Sequence, residues 1–198
     1  MAYTNNKYER RALQDPLELA HFIKLLKGEK ISSYLEIGCK FGGSLWQVAT
    51  ILPKGARIVA VDLPHGDGSF KESQPPLEEC VKRLREALKF DAHLFLGDST
   101  DPEIIAKVAA LGPFDACLID ANHTEPFVRA DWANYGPLAR IVAFHDIGWD
   151  AQGREHKMGK LPIQVPIIWN ELKPQFRHQE IKLCTTKRDN GFGVLWRC

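Results

Sequence analysis

The sequence contains no apolar run near the roughly 20 residues that a membrane span needs. Its first stretch, Met1 to Arg11, is polar and lacks the apolar centre of a secretory signal. A cytoplasmic location and no membrane partner are therefore the default expectations. Cysteine is sparse: Cys39, Cys80, Cys117, Cys184 and Cys198 are scattered and form no CxxC pair, so neither a zinc site nor a disulfide framework is supported. Cys39 and Cys117 fall in apolar contexts and read as small core residues. No charge of one sign dominates, since 26 basic residues face 25 acidic ones. Whole-chain attraction to nucleic acid is not indicated, and a small-molecule partner fits better. Repeats, low-complexity tracts and composition shifts are absent too, so residues 1–198 read as one domain, with 1–30 as a helical extension. A homodimer is only the common assembly to expect.

What is present is an alternation of two periods. Leu17, Ala20, Phe22, Ile23 and Leu26 describe a helix face, followed by a strand at Tyr34–Ile37. Leu45, Val48, Ala49 and Leu52 give a second helical stripe, and Arg57–Asp62 is a β-branched, apolar strand of the buried parallel kind. A helix from Leu77 to Leu88, a strand at His93–Leu96, a helix around Ile104–Ala109 and a strand at Phe114–Ile119 continue the pattern. Thr124 is placed to cap a helix running to Tyr135, ahead of a fifth strand at Arg140–Phe144. Strands separated by helices predict a doubly wound α/β sheet, mostly parallel, with right-handed crossovers. At the end, Glu180–Thr185 and Phe192–Trp196 flank Asn190-Gly191, which predicts a closing antiparallel hairpin. Leu63–Pro76 and Gly148–Pro162 resist assignment; each follows a strand end, where sites and lids form on such sheets.

Polar residues collect at the strand ends. Glu36-Ile-Gly38-Cys-Lys-Phe-Gly42-Gly43-Ser44 runs from strand to helix, and glycines there let the backbone approach a ligand closely. An ordinary tight turn needs no more than two of them, and the string is not GxGxxG. Asp62 ends the second strand, where an acidic side chain reaches a ribose hydroxyl pair in such folds, although aspartate is also a common turn former. Gly97-Asp98-Ser99 ends the third strand and could equally cap the helix near Pro102.

Taken in order, these residues resemble the class I S-adenosylmethionine-dependent methyltransferases, from about Tyr34 to the C-terminus. The resemblance implies that Glu36, Gly38, Gly42 and Ser44 form the glycine motif, that Asp62 binds ribose, and that Asp98 and Ser99 lie beside adenine. The sheet of that family also ends in an antiparallel strand. A narrower resemblance rests on Ile119-Asp120-Ala-Asn-His123-Thr, Phe144-His145-Asp146-Ile147 and Asn190-Gly-Phe-Gly-Val-Leu-Trp196. These look like the small-molecule O-methyltransferases related to macrolide-sugar, rhamnosyl and cephalosporin-hydroxylase-type proteins, cousins of the metal-dependent catechol enzymes. It implies a metal held by Asp120, His145 and Asp146, with Asp120 also near the cofactor. His123 then serves as base, with Asp120 and His145 completing the catalytic group.

The chemistry accounts for these residue types. Methyl transfer from a sulfonium is an in-line displacement, so positioning and formation of an oxyanion carry most of the catalysis. A divalent metal would acidify a hydroxyl, and an imidazole would take its proton. His145 stands where the catechol pattern has a carboxylate, which weakens the case for magnesium and favours manganese, iron or zinc. A purely structural His145–Asp146 hydrogen bond is the competing reading. Among the rest, Trp149 and Trp169 are candidate acceptor-pocket residues, more often packing residues. His65 and His156 are candidate lid residues, His21 a packing residue, and His178 a solvated one. Lys82, Arg83, Arg85 and Lys89 read as a solvated helix face. Alternatives are an iron oxygenase with two histidines and one carboxylate, a cofactor-binding accessory protein without turnover, and a nucleic-acid methylase. The last lacks the Asn/Asp-Pro-Pro-aromatic tetrapeptide.

Overall fold

The computed structural model describes residues 12–64, 77–148, 157–158, 161–183 and 190–197. In chain order these form α1 (Pro16–Gly28), β1 (Ser33–Ile37), α2 (Gly43–Ala49), β2 (Arg57–Asp62), α3 (Leu77–Glu86), β3 (Asp91–Leu96), α4 (Pro102–Ala109) and β4 (Phe114–Ile119). Then follow α5 (Glu125–Tyr135), β5 (Ala139–His145), β6 (Lys157–Met158), β7 (Leu161–Pro162), α6 (Val165–Leu172), β8 (Arg177–Ile181) and β9 (Phe192–Trp196). The main sheet has the order β3-β2-β1-β4-β5-β9-β8, and β6 pairs with β7 in a separate two-stranded ribbon. β1 to β5 run parallel, whereas β9 is antiparallel to both β5 and β8. The predicted doubly wound, mostly parallel sheet with an antiparallel end is the architecture found.

The period of two along each strand builds a core on both faces. Tyr34, Ile58, Ala60, Ala116, Leu118, Ile141 and Ala143 point to the side of α1, α2 and α3, where Leu19, Phe22, Leu26, Trp46 and Leu84 meet them. Leu35, Ile37, Val59, Val61, Cys117, Ile119, Val142 and Phe144 point the other way, toward Val108, Val128, Ile168 and Trp169. Strands sandwiched this way are apolar throughout because neither face sees water. The order reverses between β1 and β4, so the connections leaving their C-terminal ends run to opposite sides of the sheet and open a crevice above it, the place where ligands bind on open α/β sheets.

Several expectations are revised. Asn190-Gly191 does not make a two-residue turn: Ile181 pairs with Phe192, so the connection runs from 182 to 191. Its two ends are held instead by the buried Glu18 carboxylate, which accepts the amides of Leu183 at 3.1 Å and Gly191 at 2.9 Å. Thr124 occupies the N-cap of α5, yet its hydroxyl bonds Asn122 Oδ1 at 2.9 Å rather than the helix. The cap of α4 is Asp101, accepting from Glu103 N, and not Asp98 or Ser99. Finally, α6 lies in a stretch with no assigned stripe, and its Trp169 is fully buried in the core, donating to Glu180 at 2.6 Å. His21, expected to pack, is instead exposed on α1, with Nδ1 against the Leu17 carbonyl at 2.8 Å, and His178 is exposed as expected. Cys39, Cys80 and Cys117 are buried free thiols. His65, Trp149, His156, Cys184 and Cys198 lie outside the described residues. No helix among the described residues is long and apolar enough to cross a membrane.

Candidate active site

The crevice holds a continuous cavity of about 380 Å³, a size suited to a small-molecule ligand. Asp62, Asp98 and Ser99 line one end, and Asp120, His123, His145 and Asp146 line the other. Gly38, Cys39, Lys40 and Ser44 lie between them.

The floor is set by the turn after β1. Gly38 has φ of 86°, and a Cβ there would stand 2.3 Å from the Asp120 carbonyl oxygen. Only glycine allows the ends of β1 and β4 to approach this closely. Asp62 ties the same turn from the other side. Its Oδ2 accepts the amides of Cys39 at 2.8 Å and of Lys40, while Oδ1 accepts Leu63 N at 2.7 Å. Burial pushes the Asp62 carboxyl up in pKa, and those amides oppose the rise. Two members of the glycine motif do not line the cavity. Gly42 turns toward α3, where an added Cβ would meet Cys80 Sγ at 2.7 Å. Glu36 is wholly buried behind the floor, accepting Tyr34 Oη at 2.9 Å and Ser44 Oγ at 2.6 Å. Burial pushes its carboxyl up to about 8 against those two hydrogen bonds, so it braces β1 to α2 as a neutral acid at pH 7. At the β3 end, Asp98 Oδ1 accepts the Thr100 amide at 2.8 Å and hydroxyl at 2.7 Å, which lowers its pKa. The Ser99 carbonyl accepts Tyr135 Oη at 2.6 Å.

At the other end β4 and β5 deliver two carboxylates and two imidazoles. His123 Nε2 lies 2.8 Å from Asp146 Oδ2 and 3.4 Å from Asp120 Oδ1. His145 Nδ1 lies 3.2 Å from Asp120 Oδ1 and 3.5 Å from Asp146 Oδ1. Asp146 reaches back into the group because its backbone is left-handed, with φ of 64°, a conformation costing about 1–3 kcal/mol for a residue with a side chain. The register explains why the strand stops there: His145 is the last β5 residue paired, opposite Phe192. Burial alone would lower the pKa of His123, but the adjoining carboxylates raise it to about 9. His145 is raised as well, against its burial, by Asp146 and Asp120. Burial would raise Asp120 and Asp146, yet the histidines hold both below the usual carboxylate range.

One atom each from Asp120, His123 and Asp146 lie within 4.8 Å of one another. Donors about 2 Å from a single cation stand at most about 4 Å apart, so a slight contraction closes this set on a divalent ion. His123 joins Asp120 and Asp146 in this set, and His145, the ligand expected from the sequence, stands beside them with Nδ1 toward both carboxylates and a buried Nε2 that has no partner among the described residues. Two carboxylates with one imidazole also differ from the two-histidine, one-carboxylate set of an iron oxygenase. Sequence reasoning missed Gln14, whose Nε2 donates to Asp120 Oδ2 at 2.7 Å from 106 residues away. No motif marks it.

Comparison with known proteins gives the family and the fold. Residues 35–147 match a protein family described as a methyltransferase domain. No curated protein matches the sequence. Among solved structures, the O-methyltransferase TomG of Streptomyces achromogenes, involved in tomaymycin synthesis and in complex with SAM, superposes with a TM-score of 0.70 at 19% identity, over 98% of this chain and 91% of its own. An O-methyltransferase from Bacillus cereus in complex with SAH gives 0.69 at 16%, over 100% and 94%. MycE from the mycinamycin biosynthetic pathway, with Mg, SAH and mycinamycin VI, gives 0.53 at 18%, over 92% of this chain and 48% of its own.

Proposed function

The chain belongs to this family of methyltransferase domains, and from that premise we propose that it moves a methyl group from S-adenosylmethionine to a hydroxyl of a small acceptor, such as a sugar, with the help of a divalent cation. The observation that carries this reading is the meeting of Asp120, His123 and Asp146 at one end of a cleft whose other end carries Asp62, Asp98 and Ser99. The ligands bound in TomG, the Bacillus cereus enzyme and MycE support the same assignment. When bound, the cofactor supplies a methyl group on a sulfonium, and the cation supplies positive charge that lowers the pKa of a nearby hydroxyl.

The chain's own residues do the rest. Asp62 accepts from the ribose hydroxyls with the lone pairs its three amide bonds leave free. Asp98 and Ser99 bound the adenine end. Asp120 and Asp146 hold the cation, and His123 Nε2 is the third donor once its proton has left. This moves His123 from base to ligand, because the same nitrogen faces both carboxylates, and the proton of the cation-acidified hydroxyl then passes to solvent in the open cleft. His145 Nδ1 fixes the two carboxylates from behind. Leu13 and Phe127, both partly exposed at the cleft, give the acceptor an apolar wall.

Transfer of labelled methyl from S-adenosylmethionine to sugars and catechols, with manganese or magnesium present, tests the reading. Asp146→Ala is expected to abolish the metal-dependent turnover and manganese binding while sparing cofactor affinity. Absence of transfer to every hydroxyl acceptor, or manganese binding equal in variant and parent, contradicts it.

A further inference from the structure

Gln14 stands over the cleft on the segment leading into α1, and its place there is fixed. Asp15 beside it caps the helix, accepting the amides of Leu17 at 2.9 Å and Glu18 at 3.1 Å. Glu18, Leu19 and Phe22 are buried, and Phe22 stacks on Phe192 with ring centroids 4.8 Å apart. The orientation of the Gln14 amide is forced as well. A carboxylate only accepts, so the group facing Asp120 Oδ2 at 2.7 Å is the NH2. The carbonyl oxygen must then point away from Asp120. That oxygen, Oε1, is buried and has no hydrogen-bond partner among the described residues. A buried acceptor left unpaired is costly, on the order of 1–3 kcal/mol, and calls for a donor from solvent or from a ligand in the cleft that it lines.

Resting on the cofactor reading above, we propose that Gln14 Oε1 receives the α-ammonium of the amino-acid part of S-adenosylmethionine. The remaining donors of the reaction are accounted for elsewhere. The acceptor hydroxyl belongs with Asp120 Oδ1, His123 Nε2 and Asp146 Oδ2, whereas Gln14 occupies the opposite oxygen of Asp120. Ribose and adenine fall to the ends of β2 and β3. Gln14 sits above the end of β4, two strands from β2 in the sheet, hence about 10 Å away at ordinary strand spacing. That is the reach of the amino-acid arm from the ribose. An amide oxygen beside a carboxylate is also a site that attracts an ammonium and repels a carboxylate.

The test uses two ligands that share adenosine and differ in this arm. S-Adenosylhomocysteine carries the amino acid; methylthioadenosine lacks it. Calorimetric titrations of the full chain, with chelator present to remove metal effects, compare the parent with Gln14→Leu and Gln14→Ala. Both variants are expected to bind S-adenosylhomocysteine about 10–100-fold more weakly, as for a lost hydrogen bond to a charged group, and methylthioadenosine as the parent does. Parent-like affinity for S-adenosylhomocysteine, or an equal loss for both ligands, overturns the assignment. A parent that binds neither ligand overturns the cofactor reading itself, and the assignment with it.

Discussion

Asp120, Asp146, His123 and His145 form a group of two acids and two bases in which each raises or lowers the other's proton affinity. A cation that draws on the carboxylates must displace the His123 proton, which is held up to about pH 9. Apparent manganese affinity is therefore expected to rise with pH between about 6.5 and 9, by about tenfold per unit for each proton released. Manganese titrations across that range check this, and a flat profile contradicts it. Glu36 offers a second residue-scale test, on stability. Its folded pKa of about 8 lies above the ordinary value of 4.5, so the folded chain binds the extra proton in that window. Its contribution is full below 4.5 and is lost as pH rises through 8, a fall on the order of a few kcal/mol. Glu36→Gln keeps the shape and removes the titration. Urea unfolding at pH 5 and pH 8 should show a smaller loss for the variant; equal losses would argue against a neutral Glu36.

At the scale of elements, the antiparallel end of the sheet depends on close packing of β9 against α6. A Cβ at Gly193 would lie 2.6 Å from the Trp169 ring, which is fully buried and held through its indole nitrogen by Glu180. Gly193→Ala is expected to cost about 1–3 kcal/mol, as overpacking does. Denaturant unfolding measures it, and an unchanged midpoint would show that Trp169 can move. Strands and helices with clear periods were legible: the stripes through Leu45 and Leu77 and the apolar runs at Arg57 and Phe114 became α2, α3, β2 and β4. Less legible was α6: Val165, Ile168, Trp169 and Leu172 make a buried stripe with Ile167, Asn170 and Glu171 exposed, but at eight residues the period spans barely two turns and the exposed Ile167 blurs it. Asn190-Gly191 misled because the local turn preference yields to Glu18, a tie between residues far apart in sequence.

Over the whole molecule, the doubly wound order brings five strand ends to one crevice, and the order of polar residues along the chain already pointed there. Asp62, Asp98, Ser99, Asp120, His123, His145 and Asp146 all line it. Side-chain direction was not readable: Glu36 and Gly42 lie off the cavity, and the approach of His123 Nε2 to both Asp120 and Asp146 follows from the tertiary fold. Gln14 enters only through tertiary packing. The central claim, that this crevice binds the adenosyl cofactor, is tested most directly by calorimetric titration of S-adenosylhomocysteine into the parent and into Asp62→Ala. Saturable binding by the parent with micromolar affinity, weakened by about tenfold or more in the variant, is the result predicted for a lost ribose acceptor. No binding by the parent, or equal affinity in both, would contradict it.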